Sequence, residues 1–166
     1  MVGCVFVAQV ERYDEMVAHV SNLVKEGEKE KKALSADERN LVSLAYKQKS
    51  GKLRGSFRAL QAMETQAKEA LAGLRESEKS AGNQKVAFAK NYKEEVGDEL
   101  RKLCEEIIGV VDGSLLTRQV DEPDEVYYIK MKADYYRYLA ETLDAETSAK
   151  AAQVKNATDN YQDGNS

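Results

Sequence analysis

Proline occurs once in this 166-residue chain, at Pro123, tryptophan does not occur, and cysteine occurs twice. With almost no proline, nothing interrupts helices over most of the length. Cys4 and Cys104 are too far apart for a disulfide framework or a zinc site of ordinary close spacing, so a reducing, cytoplasmic setting is expected. A single histidine, His19, has Glu15 four residues before it, but one imidazole cannot build the paired Glu-x-x-His arrangement of helical di-metal proteins. No metal site is expected. The net charge of -4 leaves no basic field to draw in nucleic acid. The longest basic cluster, Lys29, Lys31 and Lys32, is interleaved with Glu28 and Glu30 and reads as a solvated helix end or loop. Long apolar runs are missing too. The opening MVGCVFVAQV is far too short to span a bilayer and has no basic leader, and Val2 takes the slot that myristoylation reserves for glycine. No membrane partner is expected.

What the chain does contain is alanine, leucine, glutamate and lysine, the residues that lose least side-chain freedom in a helix. The expected fold class is all-α, an antiparallel helical bundle or array. One helical domain is expected over about 1–161, followed by a polar tail, 162–166. Val10, Tyr13, Val17, Val20 and Val24 recur at helical steps, which predicts a helix near 12–26 stopped by Gly27 and the charged run behind it. Ser35 and Glu38 form the S-x-x-E capping box of a long helix, about 35–75, whose stripe runs Leu41, Leu44, Ala45, Leu53, Phe57, Leu60, Ala67, Leu71 and Leu74. Gly51 and Gly55 inside it cost about 1 kcal/mol each relative to alanine, which suggests close packing or ligand approach. Ser77–Gly82 is expected to be a loop. A third helix should turn Phe88, Tyr92, Val96, Leu100, Leu103, Ile107 and Val111 inward and end at Gly113. Pro123 suits the first turn of a fourth helix reaching about Leu143, and a last helix with a poor packing face should follow to about Asn160.

Two segments carry chemistry. On the second helix Lys47, Gly51, Arg54 and Arg58 fall on one face, and Lys47 and Arg54 stand roughly 10 Å apart along the axis, a span two long side chains can close around one phosphate. On the fourth, Lys130, Asp134, Arg137, Tyr138 and Glu141 share a face, placing an arginine among acidic and phenolic partners able to orient its guanidinium. An ordinary solvated stripe on one helix and a helix–helix salt-bridge network on the other would use the same residues.

The segments Glu11-Arg12-Tyr13-Asp14-Glu15-Met16, Glu38-Arg39-Asn40-Leu41 through Ala45-Tyr46-Lys47, and Met131-Lys132-Ala133-Asp134-Tyr135-Tyr136-Arg137-Tyr138-Leu139-Ala140-Glu141 resemble the 14-3-3 family, in the family's order and over nearly the whole chain. The last is the most specific, with Ala133 where the family usually has glycine. The resemblance implies a dimer of helical subunits, each with a groove for an extended phosphoserine or phosphothreonine peptide. It implies that Arg54, Arg137 and Tyr138 contact the phosphate, assisted by Lys47, with Lys130 another groove lysine. It further implies a dimer interface using Arg12, Glu15, Tyr92, Glu95 and Glu99, with Arg12 facing Glu99 of the second subunit.

Against the family pattern, about one helical turn is missing between Val10 and Glu11, and the loop before Ser35 is a few residues longer. Leu53 replaces an arginine beside the phosphate arginine, Phe57 replaces a tryptophan, and Glu95 replaces a lysine that would pair with an acid near Glu15. The resemblance ends where the sixth helix should continue. The family's last three helices, with their backbone-clamping asparagines and apolar groove wall, are therefore expected to be lacking and peptide binding to be weakened. The expected function is a phosphopeptide-binding adaptor whose partners are phosphorylated proteins and a second 14-3-3 subunit, as homodimer or heterodimer. A helical scaffold that pairs with complete 14-3-3 proteins without useful phosphopeptide binding is the alternative. With no phosphate-cradling Gly-rich loop, nucleophile elbow or candidate triad, neither an enzyme nor a cofactor is expected.

Overall fold

The computed structural model describes residues 12–29, 32–118, 121–143 and 148–163. They form five helices: α1 (Tyr13–Lys29), α2 (Ala36–Ala72), α3 (Lys79–Val110), α4 (Glu122–Glu141) and α5 (Ser148–Asp163). A short 3₁₀ turn, Glu76–Glu78, precedes α3, and a π-helical turn, Val111–Leu115, extends it. No strand occurs among the described residues, so the all-α expectation holds. Each helix packs on the next, α1 on α2, α2 on α3, α3 on α4 and α4 on α5. Paired contacts such as Asp14 with Lys49 and Ser21 with Tyr46 show α1 and α2 running in opposite directions.

Apolar periodicity explains most of the core. Met16, Val17, Val20 and Val24 of α1 are buried against Val42, Ala45 and Tyr46 of α2, Leu100, Leu103, Cys104 and Ile107 of α3, and Tyr128, Tyr135 and Leu139 of α4. Tyr46 resolves its one polar atom by donating from its hydroxyl to Glu106 Oε1 at 2.7 Å. Burial pushes the Cys104 thiol up to about 12, so it packs as a small apolar residue. The capping box forms as expected: Glu38 N–H donates to Ser35 Oγ at 3.4 Å and Ser35 N–H to Glu38 Oε2 at 2.8 Å. Pro123 lies in the first turn of α4, behind an Asp121 cap that accepts from Asp124 N–H at 3.1 Å.

Four expectations are corrected. Ser77–Gly82 is not a loop, because α3 starts at Lys79. A Cβ on Gly82 would lie 2.7 Å from Leu71 Cδ1 and 2.8 Å from Leu74 Cδ1, so the glycine lets the start of α3 close onto the end of α2. Phe88 and Tyr92 do not face inward; they are 72% and 49% exposed, and their rings pair with each other. Steps of four residues drift about 40° round a helix, so a stripe traced back from Leu100 rotates out of the interface by Tyr92 and Phe88. The inward positions there are Ala89, Lys93 and Val96, with Lys93 Nζ donating to the buried Glu64 at 2.6 Å. Leu44, placed on the α2 stripe, is likewise exposed at 37%.

Gly27 and Gly113 do not stop their helices. α1 runs on to Lys29, and Gly113 lies inside the π-helical turn that buries Val111, Ser114 and Leu115. Gly27 belongs to the surroundings of Arg118, a buried cation the sequence reading passed over. Arg118 Nη2 donates to the Val24 carbonyl at 2.7 Å and to Ser114 Oγ at 2.9 Å, and Nη1 donates to the Lys32 carbonyl at 3.0 Å. It thereby ties the last turns of α1, at Val24, to the segment beyond it, at Lys32. A Cβ on Gly27 would stand 2.8 Å from Arg118 Nη1. Val10, Cys4 and the apolar opening lie outside the described residues. No helix of the described residues is long and apolar enough to cross a membrane.

Candidate functional site: a two-helix cationic cavity

α2 and α4 face each other across a gap that α3 spans from behind. Ser50 of α2 lies beside the phenol of Tyr135 on α4, both buried, and donates from Oγ to the Lys47 carbonyl of its own helix at 3.2 Å. Above that contact the charged faces meet. Arg54 grips Glu141 with a two-point bond, Nε to Oε2 at 2.9 Å and Nη2 to Oε1 at 2.6 Å, and Arg58 Nη2 reaches the same carboxylate at 3.0 Å. Partial burial alone would raise the Glu141 pKa, but Arg54 and Arg58 outweigh it and hold the carboxyl below its usual range.

Tyr138 lies between two guanidinium groups from different helices. The Arg54 Cζ is 3.9 Å from its ring centroid and the Arg137 Cζ is 4.7 Å. Arg137 sits between two carboxylates on its own helix, with Nη2 donating to Asp134 Oδ1 at 3.0 Å and Nη1 standing 3.6 Å from Glu141 Oε1. Partial burial works against its charge, yet Asp134 and Tyr161 hold the guanidinium above its ordinary value. It is a cation at every relevant pH.

Beside this cluster opens a cavity of about 310 Å³ lined by Ser43 and Lys47 of α2 and by Tyr127, Lys130, Met131, Asp134, Tyr135, Arg137 and Tyr138 of α4. Four of the five phosphate-side residues read from the sequence, Lys47, Lys130, Arg137 and Tyr138, therefore share one cavity. Arg54 does not line it; it stands behind the Tyr138 ring, turned to Glu141. Lys47, Arg54, Arg58, Lys130 and Arg137 set five cations against the two carboxylates of Asp134 and Glu141, an excess of positive charge suited to an anion. Gly51 has no atom within 4 Å of the position its Cβ would take, so no packing contact calls for a glycine there.

The sequence reading missed Ser43 and Tyr127, though helical spacing could have found them, four residues before Lys47 and three before Lys130. It also missed Tyr161, whose phenol O–H donates to Asp134 Oδ1 at 2.6 Å from α5, a contact no local spacing announces.

The residues assigned to a dimer interface occupy another surface. Arg12 forms an ion pair with Glu15 within its own chain. Tyr92, Glu95 and Glu99 are exposed on α3, and Tyr92 and Glu99 line a second cavity of about 270 Å³ with Tyr13, Asp14, Lys49, Lys52 and Leu53. His19 is exposed on α1, and no group of three or more potential metal ligands occurs among the described residues.

Comparison with known proteins gives one answer. The 14-3-3 protein family model matches residues 5–166. The chain is 36% identical over 156 residues to the 14-3-3 protein zeta of Bombyx mori, covering 93% of this chain and 56% of that protein. It is 37% identical over 147 residues to a 14-3-3 protein homolog of Candida albicans, covering 88% and 50%, and 34% identical over 156 residues to the 14-3-3-like protein 2 of Caenorhabditis elegans, covering 93% and 55%. It thus spans about half the length of the curated relatives it matches. With a helical array, a doubly braced arginine pair around one tyrosine, and a family match over nearly all its residues, this chain belongs to the 14-3-3 family.

Proposed function

We propose that the chain is an adaptor that binds phosphoserine or phosphothreonine segments of partner proteins in the cavity between α2 and α4, and that it has no catalytic role. The observation that carries this reading is the placement of Arg54 and Arg137, from two helices, against the single ring of Tyr138, beside a cavity that also holds Lys47 and Lys130. A planar guanidinium held in one orientation is pre-set for two-point bonding to a phosphate, and the lysines add mobile point charges. Glu141 and Asp134 provide the holding. Contacts from charged donors to a phosphate are worth about 1.5–3 kcal/mol each, so a dianion is favoured over an unmodified hydroxyl.

The test is titration of a singly phosphorylated peptide and its unphosphorylated twin against the purified chain. Phosphate-dependent binding that is abolished by Arg54→Glu and by Arg137→Glu supports the reading, because each change turns attraction into repulsion. Equal affinity for both peptides, or a reversal variant that binds as well as the parent, rejects it.

A second reading, a helical scaffold that pairs with 14-3-3 subunits without useful phosphopeptide binding, is favoured by one observation: Glu141 already engages Arg54 at two points and Arg58 at a third. On that reading the cations only brace the helices. The same reversals would then lower thermal stability, and pairing with a 14-3-3 subunit would proceed without any phosphate-dependent binding.

A further inference from the structure

Asp134 Oδ1 is shared. It accepts from Arg137 Nη2 at 3.0 Å, along α4, and from the Tyr161 hydroxyl at 2.6 Å, across from α5. An Asp–Arg pair three residues apart on a half-exposed helix face is a weak constraint by itself, since both side chains retain rotamer freedom and solvent screens them. A phenol changes this. Its O–H to a carboxylate is of the short, charge-assisted kind, and it reaches Asp134 on a rigid ring with few rotatable bonds. The ring's backbone is seated, because Ala157, one turn earlier on α5, is buried and α5 packs along α4.

We propose that Tyr161 is a positioning residue of the anion cavity: donated from α5, its O–H locks the Asp134 carboxylate that orients the Arg137 guanidinium. The functional half of this proposal rests on the reading of Arg137 as a phosphate ligand; the structural half does not. No described residue of α5 lines the cavity, so α5 acts on it through Tyr161, chiefly by this bond to Asp134. Burial and Asp134 both push the Tyr161 phenol up and outweigh Arg137 beside it, which draws it down, so its donor proton stays in place through the neutral range. On the far side Glu141 and the Tyr138 ring restrict Arg137 further, leaving the Asp134 flank as the one that α5 controls.

The experiment compares the parent with Tyr161→Phe, which removes one oxygen and keeps the ring. Its first readout is nitrogen-15 NMR of the arginine side chains, with the Arg137 signals assigned through Arg137→Lys. Hindered guanidinium rotation in the parent and clearly faster rotation in Tyr161→Phe are expected. The second readout is phosphopeptide titration, where affinity should fall roughly two- to tenfold, the effect of one net hydrogen bond, with the unphosphorylated twin unaffected. In an Arg137→Lys background Tyr161→Phe should cause no further loss, because the group it positions is gone. Asp134→Asn, which leaves α5 untouched, gives the rotation expected once the orienting carboxylate itself is gone and so sets the upper limit for the Tyr161→Phe effect. Unchanged Arg137 rotation overturns the relay whatever the peptide does. Faster rotation with unchanged phosphopeptide affinity overturns the positioning role. A parent that binds no phosphopeptide overturns the reading of the site, and the Arg137 signals then decide the relay alone.

Discussion

At the scale of single residues the glycines separate into those that packing requires and those it does not. A Cβ on Gly97 would come within 3.0 Å of the ring of buried Phe57 and 3.3 Å of Arg101 Nη1, whereas one on Gly51 meets nothing within 4 Å. Gly51→Ala should therefore stabilise the fold by about 0.5–1 kcal/mol, the helix-interior cost of glycine. Gly97→Ala should destabilise it by about 1–2 kcal/mol, because a packed ring has little room to yield. Opposite shifts of the chemical-denaturation midpoint are the expected result, and a Gly97→Ala midpoint above the parent's would show that Phe57 is not confined. Arg118→Ala should cost about 2–3 kcal/mol, since it removes a buried charged donor shared by the Val24 and Lys32 carbonyls and Ser114 Oγ. A denaturation midpoint unchanged in that variant would mean that water replaces the guanidinium at no cost. Neither glycine nor arginine could be sorted this way from the sequence, because each role is set by a neighbour far along the chain.

At the scale of elements the clasp between α2 and α4 should respond to pH in a defined sense. The Glu141 carboxyl is held below the ordinary range in the fold, so its contribution is fully present above the unfolded carboxylate value, about 4.3, and is lost as pH falls through the folded value. Glu141→Gln should therefore be less stable than the parent at neutral pH, with the gap closing in acid. Urea denaturation at several pH values measures it, and a gap that stays constant down to acid pH would mean that the charge of Glu141 contributes nothing. The clasp also shows how far sequence legibility reached. Lys130, Asp134, Arg137, Tyr138 and Glu141 lie on one face of α4 because helical spacing puts them there, and that much follows from the order of residues. The partner of Glu141 is Arg54, 87 positions away, and only the packing of α2 and α4 on α3 brings the two together.

At the scale of the whole molecule the exposed acids of α3 bear on self-association. In the dimer geometry implied by family resemblance, Glu15 of one subunit would face Glu95 of the other, and twofold symmetry would repeat the repulsion. Like charges brought together with loss of solvent cost several kcal/mol, so a weak homodimer and a preference for a 14-3-3 partner carrying lysine at that place are expected. Glu95→Lys should strengthen the homodimer, most clearly at low salt, where screening is least. Analytical ultracentrifugation of the two forms decides the matter: a tight parent homodimer, or no gain from the lysine, means that Glu15 and Glu95 do not meet.

The order of residues by itself determined that this chain is helical, where the capping box of α2 and the proline start of α4 lie, and which cations and phenol share a helix face. These depend on backbone propensity and on a period of 3.6, both of which act within a few residues. Tertiary structure alone decided that Phe88 and Tyr92 turn outward, that Gly82 lies in a helix instead of a loop, that Arg118 closes the end of α1, and that Tyr161 reaches Asp134. Each of these depends on which surfaces remain to be covered once helices pack, and on which distant group lies within hydrogen-bond reach. Neither is a property of any local stretch of the chain.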